Sequence, residues 1–271
     1  MTIKMIAFDI DDTLLNSKGK ILDSTKEAVK KALDQGIKIV LCTGRPLAGV
    51  TPYLQELGVS GDDQFVVTNN GAIIESISGN IIAKRVLDNA SYRKLVQYGH
   101  DNGLKYYALD DESNVYTDDR DISRIAVVQA WENKAGIYFR SPDELPNDFE
   151  VTKVAYVGEK SDLDPYEDAV KEEFKDMCYI VRAGEWFLEM MHKNVSKAQG
   201  LQDLSEKLDI SPDEIMAFGD EQNDIPMFKF VGNAVCMDNG SDKAKSYADN
   251  ITDTNDNDGI AKAMGKFVFD K

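Results

Sequence analysis

The sequence is poor in basic residues, and no long apolar run is found in it. Its 271 residues include 31 Lys and Arg against 48 Asp and Glu, which gives a net charge of −17. Proteins that bind nucleic acid or anionic membranes usually present a basic patch, and the sequence shows no cluster of that kind. No segment approaches the roughly 18–20 apolar residues of a membrane span, and the N-terminus has no secretory pattern. We therefore expect a cytoplasmic protein that acts on neither nucleic acid nor membrane.

Cysteine and histidine are also scarce. Cys42, Cys178 and Cys236 are odd in number and far apart in the chain, so we interpret them as reduced and structural. Strand alternation predicts that Cys42 is buried. His100 and His192 lack metal-ligand spacing, and surface or structural roles are predicted for both. A disulfide framework and a histidine metal centre are therefore not expected.

Apolar runs alternate with helical periodicity at both ends of the chain. Strands are predicted at residues 5–8, 37–42, 65–68, 215–218 and 234–237. Helices are predicted at residues 24–35, 47–57, 197–208, 224–230 and 259–267. This alternation indicates a parallel sheet with helical crossovers. We predict a doubly wound, Rossmann-like α/β core built from residues 1–84 and 188–271.

Residues 85–187 have a different pattern, with short strands, two helices and acidic loops. Strands are predicted at residues 106–109, 115–117, 154–157 and 179–182, and helices at residues 91–102 and 164–174. The segment therefore predicts an α+β module inserted into the core. We interpret the apolar stretch 186–191 as packing, and the acidic run 110–112 as a solvated loop.

Polar side chains follow three of the predicted core strands. Asp9 and Asp11 follow the first strand, the segment 43–45 follows the second, and the segment 219–224 follows a later one. Ligands of open parallel sheets bind outside the carboxyl ends of the strands, so we expect these groups to meet. Carboxylate oxygens suit Mg²⁺, and Lys197 supplies positive charge for an anionic substrate.

Asp9 and Asp11 are separated by one residue where the first strand ends. Both could act only as metal ligands, or one could attack phosphorus while the other reaches the leaving oxygen. Thr43, at the start of a predicted helix, and Gly44, which allows close backbone approach, can hold phosphate oxygens. An isolated Asp-x-Asp says little, but the ordered set predicts phosphoryl-transfer chemistry.

Taken together, these segments resemble the ordered motifs of the haloacid dehalogenase superfamily. The matching residues are Asp9-Ile10-Asp11-Asp12-Thr13, Thr43-Gly44-Arg45, Lys197 and Gly219-Asp220-Glu221-Gln222-Asn223-Asp224. The signature Asn69-Asn70-Gly71-Ala72 and the long insert are similar to those of its Cof-type phosphatases. One departure is Ala198, which follows the lysine where many relatives have glycine. The resemblance implies a haloacid dehalogenase-like core with an inserted cap, and Mg²⁺ as the cofactor.

The resemblance also implies a role for each matching residue. Asp9 would be the nucleophile and a Mg²⁺ ligand. Asp11 would be the general acid and base, and its backbone carbonyl and Asp220 would complete the protein ligands of Mg²⁺. The groups that hold the phosphate would be the Ile10 backbone N–H, Thr43, Gly44, Lys197 and Asn223. Asp224 would support Lys197 or metal-bound water.

Two further features, Arg45 and the Asn70-Gly71 pair, each allow two interpretations. Arg45, which we assign a supporting role, either contacts the substrate or pairs with a surface carboxylate. Asn70-Gly71 is either a simple turn or a turn that also borders the site.

The predicted function is hydrolysis of small soluble phosphate monoesters, with sugar phosphates as the leading class. Three alternatives stay open: a phosphosugar mutase, a phosphatase of phosphorylated cofactors such as flavin mononucleotide or pyridoxal phosphate, and a non-enzymatic phospho-ligand sensor. The cap is expected to exclude water on closure and to set leaving-group selectivity. The sequence leaves both a monomer and a homodimer open.

Overall fold

A computed structural model of the protein describes residues 2–269, which cluster into two compact units. The first, which we call the split unit, consists of three segments. The first segment ends at Arg45, the second is Val50–Lys84, and the third begins at Ser196. The second, here the inserted unit, comprises Pro46–Gly49 and Arg85–Val195. The predicted start of the second core segment at residue 188 thus lies within the inserted unit, because the strand Phe187–His192 pairs with two strands there.

Strands of the split unit form one sheet, and elements are numbered along the whole chain. They are β1 (Met5–Phe8), β2 (Lys38–Cys42), β3 (Phe65–Thr68), β4 (Ile73–Ser76), β5 (Ile81–Lys84), β12 (Ile215–Gly219), β13 (Asn233–Cys236) and β14 (Asn250–Ile251). The strand order is β14-β13-β12-β1-β2-β3-β4-β5. All neighbours from β14 to β3 pair in parallel, whereas β3-β4 and β4-β5 are antiparallel. The predicted α/β fold with a parallel sheet is confirmed.

Helices connect these strands. They are α1 (Asp23–Asp34), α2 (Leu47–Glu56), α6 (Lys197–Leu208), α7 (Ile225–Phe230), α8 (Asp242–Lys245) and α9 (Gly259–Met264). Met5 and Ala7 of β1 share one apolar cluster with Leu201 and Leu204 of α6. Side chains alternate along a strand, so Ile6 and the other intervening residues face the opposite side of the sheet. The hairpin β4-β5 was not predicted, since both strands have only four residues and neither alternates: β4 is fully buried, whereas β5 is exposed at its ends and half-buried between them.

The inserted unit contains a second, mainly antiparallel sheet. Its strands are β6 (Lys105–Leu109), β7 (Val115–Thr117), β8 (Ile137–Phe139), β9 (Lys153–Val157), β10 (Cys178–Ala183) and β11 (Phe187–His192). Their order is β10-β11-β9-β6-β7-β8, and only β7-β8 is parallel among the described pairs. Its helices are α3 (Asn89–Asn102), α4 (Arg124–Glu132) and α5 (Lys160–Phe174). The expected α+β composition is present, although β8, β11 and α4 were not predicted.

The structure bears on two local interpretations of the inserted unit. The packing role of the apolar stretch 186–191 is confirmed, because Leu188 and Met190 lie in the hydrophobic core, and most of the stretch also forms β11 between β10 and β9. The acidic run 110–112 is not wholly solvated, because Asp110 is buried and accepts hydrogen bonds from the Asn114 backbone and the Tyr116 hydroxyl. A short side-chain acceptor satisfies the N–H groups of a tight turn, which explains why an aspartate is buried there.

The scarce residues behave as expected. Cys42, Cys178 and Cys236 are buried and free of disulfides. His100 pairs with Asp118, and His192 accepts a hydrogen bond from a nearby backbone N–H. Within residues 2–269, no helix has the length and apolar character needed to cross a membrane.

Candidate active site

The carboxyl ends of three adjacent parallel strands bring the predicted polar groups to one edge of the split unit's sheet. Asp9 directly follows β1, Thr43 follows β2 and Asp220 follows β12. Because β1 lies between β12 and β2, Asp9 stands between the other two segments. The sheet topology therefore assembles residues that are about 200 positions apart in sequence.

Lys197 lies at the centre of a buried ion cluster. Its Nζ donates to Asp9 Oδ1 at 2.5 Å and to Asp224 Oδ1 at 2.6 Å. Lys197 is 1% exposed, Asp224 is 0% exposed and Asp9 is 6% exposed. Charged groups are rarely buried to this extent without partners, so this arrangement is specific rather than incidental.

Asp220 completes the cluster and is held by Thr13 and Asp224. The Thr13 hydroxyl donates to Asp220 Oδ1 at 2.9 Å. The second oxygen of Asp224 accepts the backbone N–H groups of Asp220 and Glu221, at 2.9 and 3.1 Å. Position 219 must be glycine, because a Cβ there would lie 2.5 Å from Asp224 Cγ. Asp224 thus braces both Lys197 and the segment that carries Asp220.

The cluster has an excess of negative charge. Oxygens of Asp9, Asp220 and Asp224 all lie within 4.8 Å of one another, and the one lysine leaves a formal charge of −2 when all three are ionised. Burial raises the pKa of Asp9, although Lys197 opposes this shift. Burial, reinforced by Asp224, raises the pKa of Asp220 to about 7. Burial alone would lower the pKa of Lys197, but Asp224 and Asp9 raise it above its usual value.

This donor set suits a divalent cation. Hard cations prefer carboxylate oxygens, and a cation would relieve the mutual repulsion that adds to burial in raising the pKa values of Asp9 and Asp220. The predicted ligands Asp9 and Asp220 are brought together, and Asp224 is the third side chain of the group. The predicted contribution of Asp11 is a backbone carbonyl and stays a prediction.

The side chain of Asp11 lies outside this cluster and forms an ion pair with Arg45. Arg45 Nη2 donates to Asp11 Oδ1 at 2.6 Å, and Nε donates to Oδ2 at 3.0 Å. Arg45 Nη1 also reaches the Tyr53 hydroxyl at 3.3 Å. The Asp11 side chain is 58% exposed. Two interpretations of Arg45 were open, and the structure shows the pairing with a carboxylate. That carboxylate belongs to Asp11, the predicted general acid and base.

Thr43 and Gly44 form a loop rather than the first residues of a helix. Thr43 is buried, and its hydroxyl accepts the Arg45 backbone N–H at 3.1 Å. Helix α2 begins four residues later, at Leu47, so the expectation that Thr43 lies at the helix N-terminus was wrong. The Asn70 backbone N–H donates to the Thr43 carbonyl at 2.8 Å, and the turn at Asn70 therefore borders this loop.

Helix α6, whose first residue is Lys197, packs closely against β3. A Cβ on Gly200 would lie 2.4 Å from a methyl carbon of Val67, so only glycine permits this contact. Ser196 caps the helix by accepting the Gln199 backbone N–H. Ala198 occupies the position where many relatives have glycine, and it is compatible with a helix that begins at Lys197.

Other predicted residues lie around the cluster. Asn223 is exposed in the short 3₁₀ turn Gln222–Asp224. Ile10 is buried, and its carbonyl accepts the Leu15 backbone N–H. The structure adds Thr13, to which sequence reasoning gave no role. The signal available was a hydroxyl residue four positions after Asp9.

Comparison with known proteins points to one family. The family model described as haloacid dehalogenase-like hydrolase matches residues 6–264. A Streptococcus pyogenes protein with a provisional phosphatase name is 33% identical over 270 residues, which cover 99% of this chain and 100% of that protein. The 5-amino-6-(5-phospho-D-ribitylamino)uracil phosphatase YcsE of Bacillus subtilis is 29% identical over 269 residues, which cover 98% of this chain and 96% of that protein.

Solved structures agree with this result. A haloacid dehalogenase-like hydrolase from Bacteroides thetaiotaomicron has a TM-score of 0.87 at 31% sequence identity, with 98% of this chain and 99% of that chain covered. The sugar phosphatase BT4131 has a TM-score of 0.82 at 26% identity, with 97% and 98% covered. Both similarities extend over nearly the whole chain.

Proposed function

The chain belongs to the haloacid dehalogenase-like hydrolases, and on that premise we propose that it is a Mg²⁺-dependent phosphatase of small phosphate monoesters. Phosphatase names among its relatives support the reaction class. The observation that carries the proposal is the buried cluster in which Lys197 meets Asp9 and Asp224 beside Asp220. Such an excess of carboxylates around one lysine suits a site that binds a cation and an anionic ester together.

Asp9 and Asp220, with the Asp11 carbonyl, would hold Mg²⁺. When bound, the ion would neutralise phosphate charge and favour the ionised form of the carboxylates. Lys197 would contribute a fixed positive charge, because its two ion pairs keep it protonated. Thr43, Gly44 and the Ile10 backbone N–H would contact the phosphate oxygens, with Asn223 near them.

The reaction would proceed in two balanced steps. A carboxylate oxygen of Asp9 attacks phosphorus, the ester P–O bond breaks, and the leaving oxygen takes a proton from Asp11. Asp11 then removes a proton from water, whose oxygen attacks the phosphorus of the aspartyl-phosphate. Inorganic phosphate leaves and the Asp9 carboxylate is regenerated.

Asp11 would first have to leave its ion pair with Arg45 and take up from solvent the proton that it then gives to the leaving oxygen. The Asp11 side chain is 58% exposed, so water reaches its carboxyl group when the pair opens. Arg45 is the supporting residue in this scheme because it holds Asp11 until the substrate arrives.

For the substrate we propose a phosphate ester of a polyhydroxylated carbon chain. Two relatives support this class, since BT4131 is named a sugar phosphatase and YcsE a phosphatase of a phosphoribityl compound. Both names describe a phosphate on a chain that carries several hydroxyl groups. The class includes sugar phosphates and the phosphoribityl part of flavin mononucleotide.

The test is release of inorganic phosphate by purified protein from sugar phosphates, flavin mononucleotide, pyridoxal phosphate and p-nitrophenyl phosphate. We expect Mg²⁺-dependent release that is greatest for one polyol phosphate and is lost in Asp9→Asn. The matched control is Asp34→Asn, which makes the same change at an exposed position of α1. Turnover that survives Asp9→Asn would refute the role of Asp9.

The same assay separates hydrolysis from phosphoryl transfer within a sugar. A mutase would convert a sugar 1-phosphate to a 6-phosphate isomer with little free phosphate. A phosphatase releases one phosphate for each alcohol formed, and product sugar is not phosphorylated again. A sensor without activity would bind the esters but release nothing.

A further inference from the structure

The turn Asn69-Asn70-Gly71 that follows β3 has a strained backbone. Its residues have φ angles of 50°, 57° and 98°, in the left-handed region. Within residues 2–269, no other two adjacent non-glycine residues share this conformation. Side chains with a Cβ adopt it at an energetic cost that the surrounding structure must offset. Strain of this kind often accompanies a site whose geometry must be fixed.

The turn is joined to the Thr43 loop by backbone hydrogen bonds. The Asn69 N–H donates to the Arg45 carbonyl at 3.0 Å, and the Asn70 N–H donates to the Thr43 carbonyl at 2.8 Å. Just before the turn, the Val67 carbonyl accepts the Thr43 N–H at 2.9 Å. Thr68 is extended and directs the Asn69 N–H at the loop, whereas the left-handed conformation of Asn69 turns the next N–H, that of Asn70, toward the same loop.

The same turn also contacts the first residues of α6. A Cβ placed on Gly71 would lie 2.1 Å from the Ser196 carbonyl oxygen and 2.7 Å from its carbon. Ser196 immediately precedes Lys197. The three residues of the turn therefore connect, through direct contacts, the loop of Thr43 and the residue that caps the Lys197 helix.

Side-chain bonding does not explain the asparagine at position 69. Asn69 is 2% exposed, and its Oδ1 has no hydrogen-bond partner among the described residues. A buried acceptor without a partner is unfavourable. Asparagine is, however, the side-chain-bearing residue that tolerates left-handed φ best together with aspartate. The backbone conformation is thus the property that accounts for Asn69.

We infer that the Asn69-Asn70-Gly71 turn is a positioning element that fixes the Thr43 loop relative to Lys197, so that both contact the same phosphate group. This inference rests on the proposed function. It assigns Asn69 a role through its backbone, and not through contact of its amide with the substrate.

The experiment compares Asn69→Ala with Asn69→Gly. Both remove the amide, but only glycine readily keeps the left-handed φ. We expect Asn69→Ala to lower kcat/KM and to weaken inhibition by inorganic phosphate, each roughly tenfold to a hundredfold, because small displacements of positioned groups have effects of this size. Asn69→Gly should stay within about threefold of the unsubstituted protein in both measurements.

The matched control is the pair Asp209→Ala and Asp209→Gly. Asp209 has a φ of 53° at the exposed C-terminal end of α6, roughly 18 Å along the helix from Lys197. Alanine there should lower the melting temperature by about 2–4 °C, as at position 69, yet leave kcat/KM and phosphate inhibition unchanged. The control separates loss of stability from loss of positioning.

Two results would overturn the inference. Equal losses in Asn69→Ala and Asn69→Gly would show that the amide itself contacts the substrate. Unchanged phosphate inhibition in Asn69→Ala would show that the turn does not position the phosphate groups. If Asn69→Ala fails to fold, Gly71→Ser and Asn69→Asp extend the test, with loss of phosphate inhibition expected for the first and near-normal inhibition for the second.

Failure of the inference and failure of the proposed function are distinguishable. A protein that hydrolyses no ester disproves the function, but inorganic phosphate binding by calorimetry still compares the two Asn69 variants. A protein that hydrolyses esters equally well with alanine or glycine at position 69 disproves only the positioning role.

Discussion

Among the described residues, each unit of the protein buries one lysine beside at least one carboxylate, and the two clusters differ in charge balance. In the inserted unit, Lys153 Nζ lies 2.5 Å from Glu189 Oε1, with side-chain exposures of 5% and 7%. One cation meets one anion there, beside the ring of Tyr107. In the split unit, Lys197 meets Asp9 and Asp224, and Asp220 adds a third carboxylate.

The comparison shows that a buried lysine alone does not indicate a binding site. A buried pair with balanced charge satisfies itself, and replacing such a pair by apolar residues is often neutral or stabilising. An unbalanced cluster keeps an excess of charge that a bound cation or protonation of a carboxylate relieves. For Lys153, burial would lower the pKa, but Glu189 raises it, so that pair needs no third group.

Substitution of the two lysines should give the largest contrast. We expect Lys197→Met to lower kcat/KM by at least about a hundredfold, because the phosphate loses its fixed cation. Lys153→Met should leave Glu189 buried without its partner and destabilise the fold by about 3–5 kcal/mol. The additional substitution Glu189→Leu should recover most of that stability. Urea unfolding and steady-state kinetics measure both effects, and a double mutant that recovers nothing would contradict the balanced-pair interpretation.

Divalent cations should stabilise the folded protein by binding at the unbalanced cluster around Lys197, and not at the pair of Lys153 and Glu189. At a Mg²⁺ concentration 100 times its dissociation constant, the gain in unfolding free energy should be about 2.7 kcal/mol. Differential scanning calorimetry with and without a chelator measures this shift. Asp220→Asn should remove it, whereas Glu189→Gln should retain it. A shift that persists in Asp220→Asn would place the cation elsewhere.

Thr13 should tune the cation affinity without entering the reaction. Thr13→Val keeps the shape of the side chain but removes the hydrogen bond to Asp220. Loss of a bond that orients a metal ligand typically weakens affinity by about 10–100-fold. Calorimetric titration with Mg²⁺ measures the change. As the control we choose Thr252→Val, whose hydroxyl donates to the Gly259 carbonyl and not to a carboxylate of the cluster, and the Mg²⁺ affinity of this variant should be unchanged.

The smallest predicted effect is on the pH dependence of the metal-free protein. The pKa of Asp220 is raised to about 7 by burial and Asp224, so the folded state binds this proton more tightly than the unfolded state. The contribution of the Asp220 carboxyl group to the free energy of unfolding is therefore greatest at acidic pH, and it falls as pH rises from about 4 toward about 7. Unfolding in chelator at several pH values should show the decline, and Asp220→Asn should reduce its slope, while Asp9, whose pKa is also raised by burial, contributes the remainder. A decline of equal slope in Asp220→Asn would assign the effect to another group.

Much of the site followed from sequence because strand ends and motif order fix where backbone segments meet. Asp9, Asp220 and Lys197 were expected together, and they are together. The contact between Asp11 and Arg45 could not be predicted, because it depends on how side chains leave two loops. No role was assigned to Thr13, although it stands in the first motif, for a similar reason: Asp12 has a left-handed φ of 55°, and strand alternation does not continue through it.

The fold was predicted where patterns are long and missed where they are short. Helices α1 and α6 follow clear apolar periodicity and begin near the predicted residues. The strand β11 has four apolar residues among its six, which fits packing or a buried strand equally well. Only its pairing with β9 and β10 decides between them, and such long-range pairing is not written in local sequence.

The central claim is that Asp9 carries the phosphoryl group. In the most direct test, the Asp11→Asn protein, in which water activation is impaired, is incubated with a phosphate ester that the unsubstituted protein hydrolyses. The reaction is then quenched rapidly in acid. Mass spectrometry of the peptides should then show one added phosphoryl group on Asp9, which disappears in Asp9→Asn/Asp11→Asn. Phosphate on another residue, or turnover by Asp11→Asn at the unsubstituted rate with no phosphorylated peptide, would contradict the account.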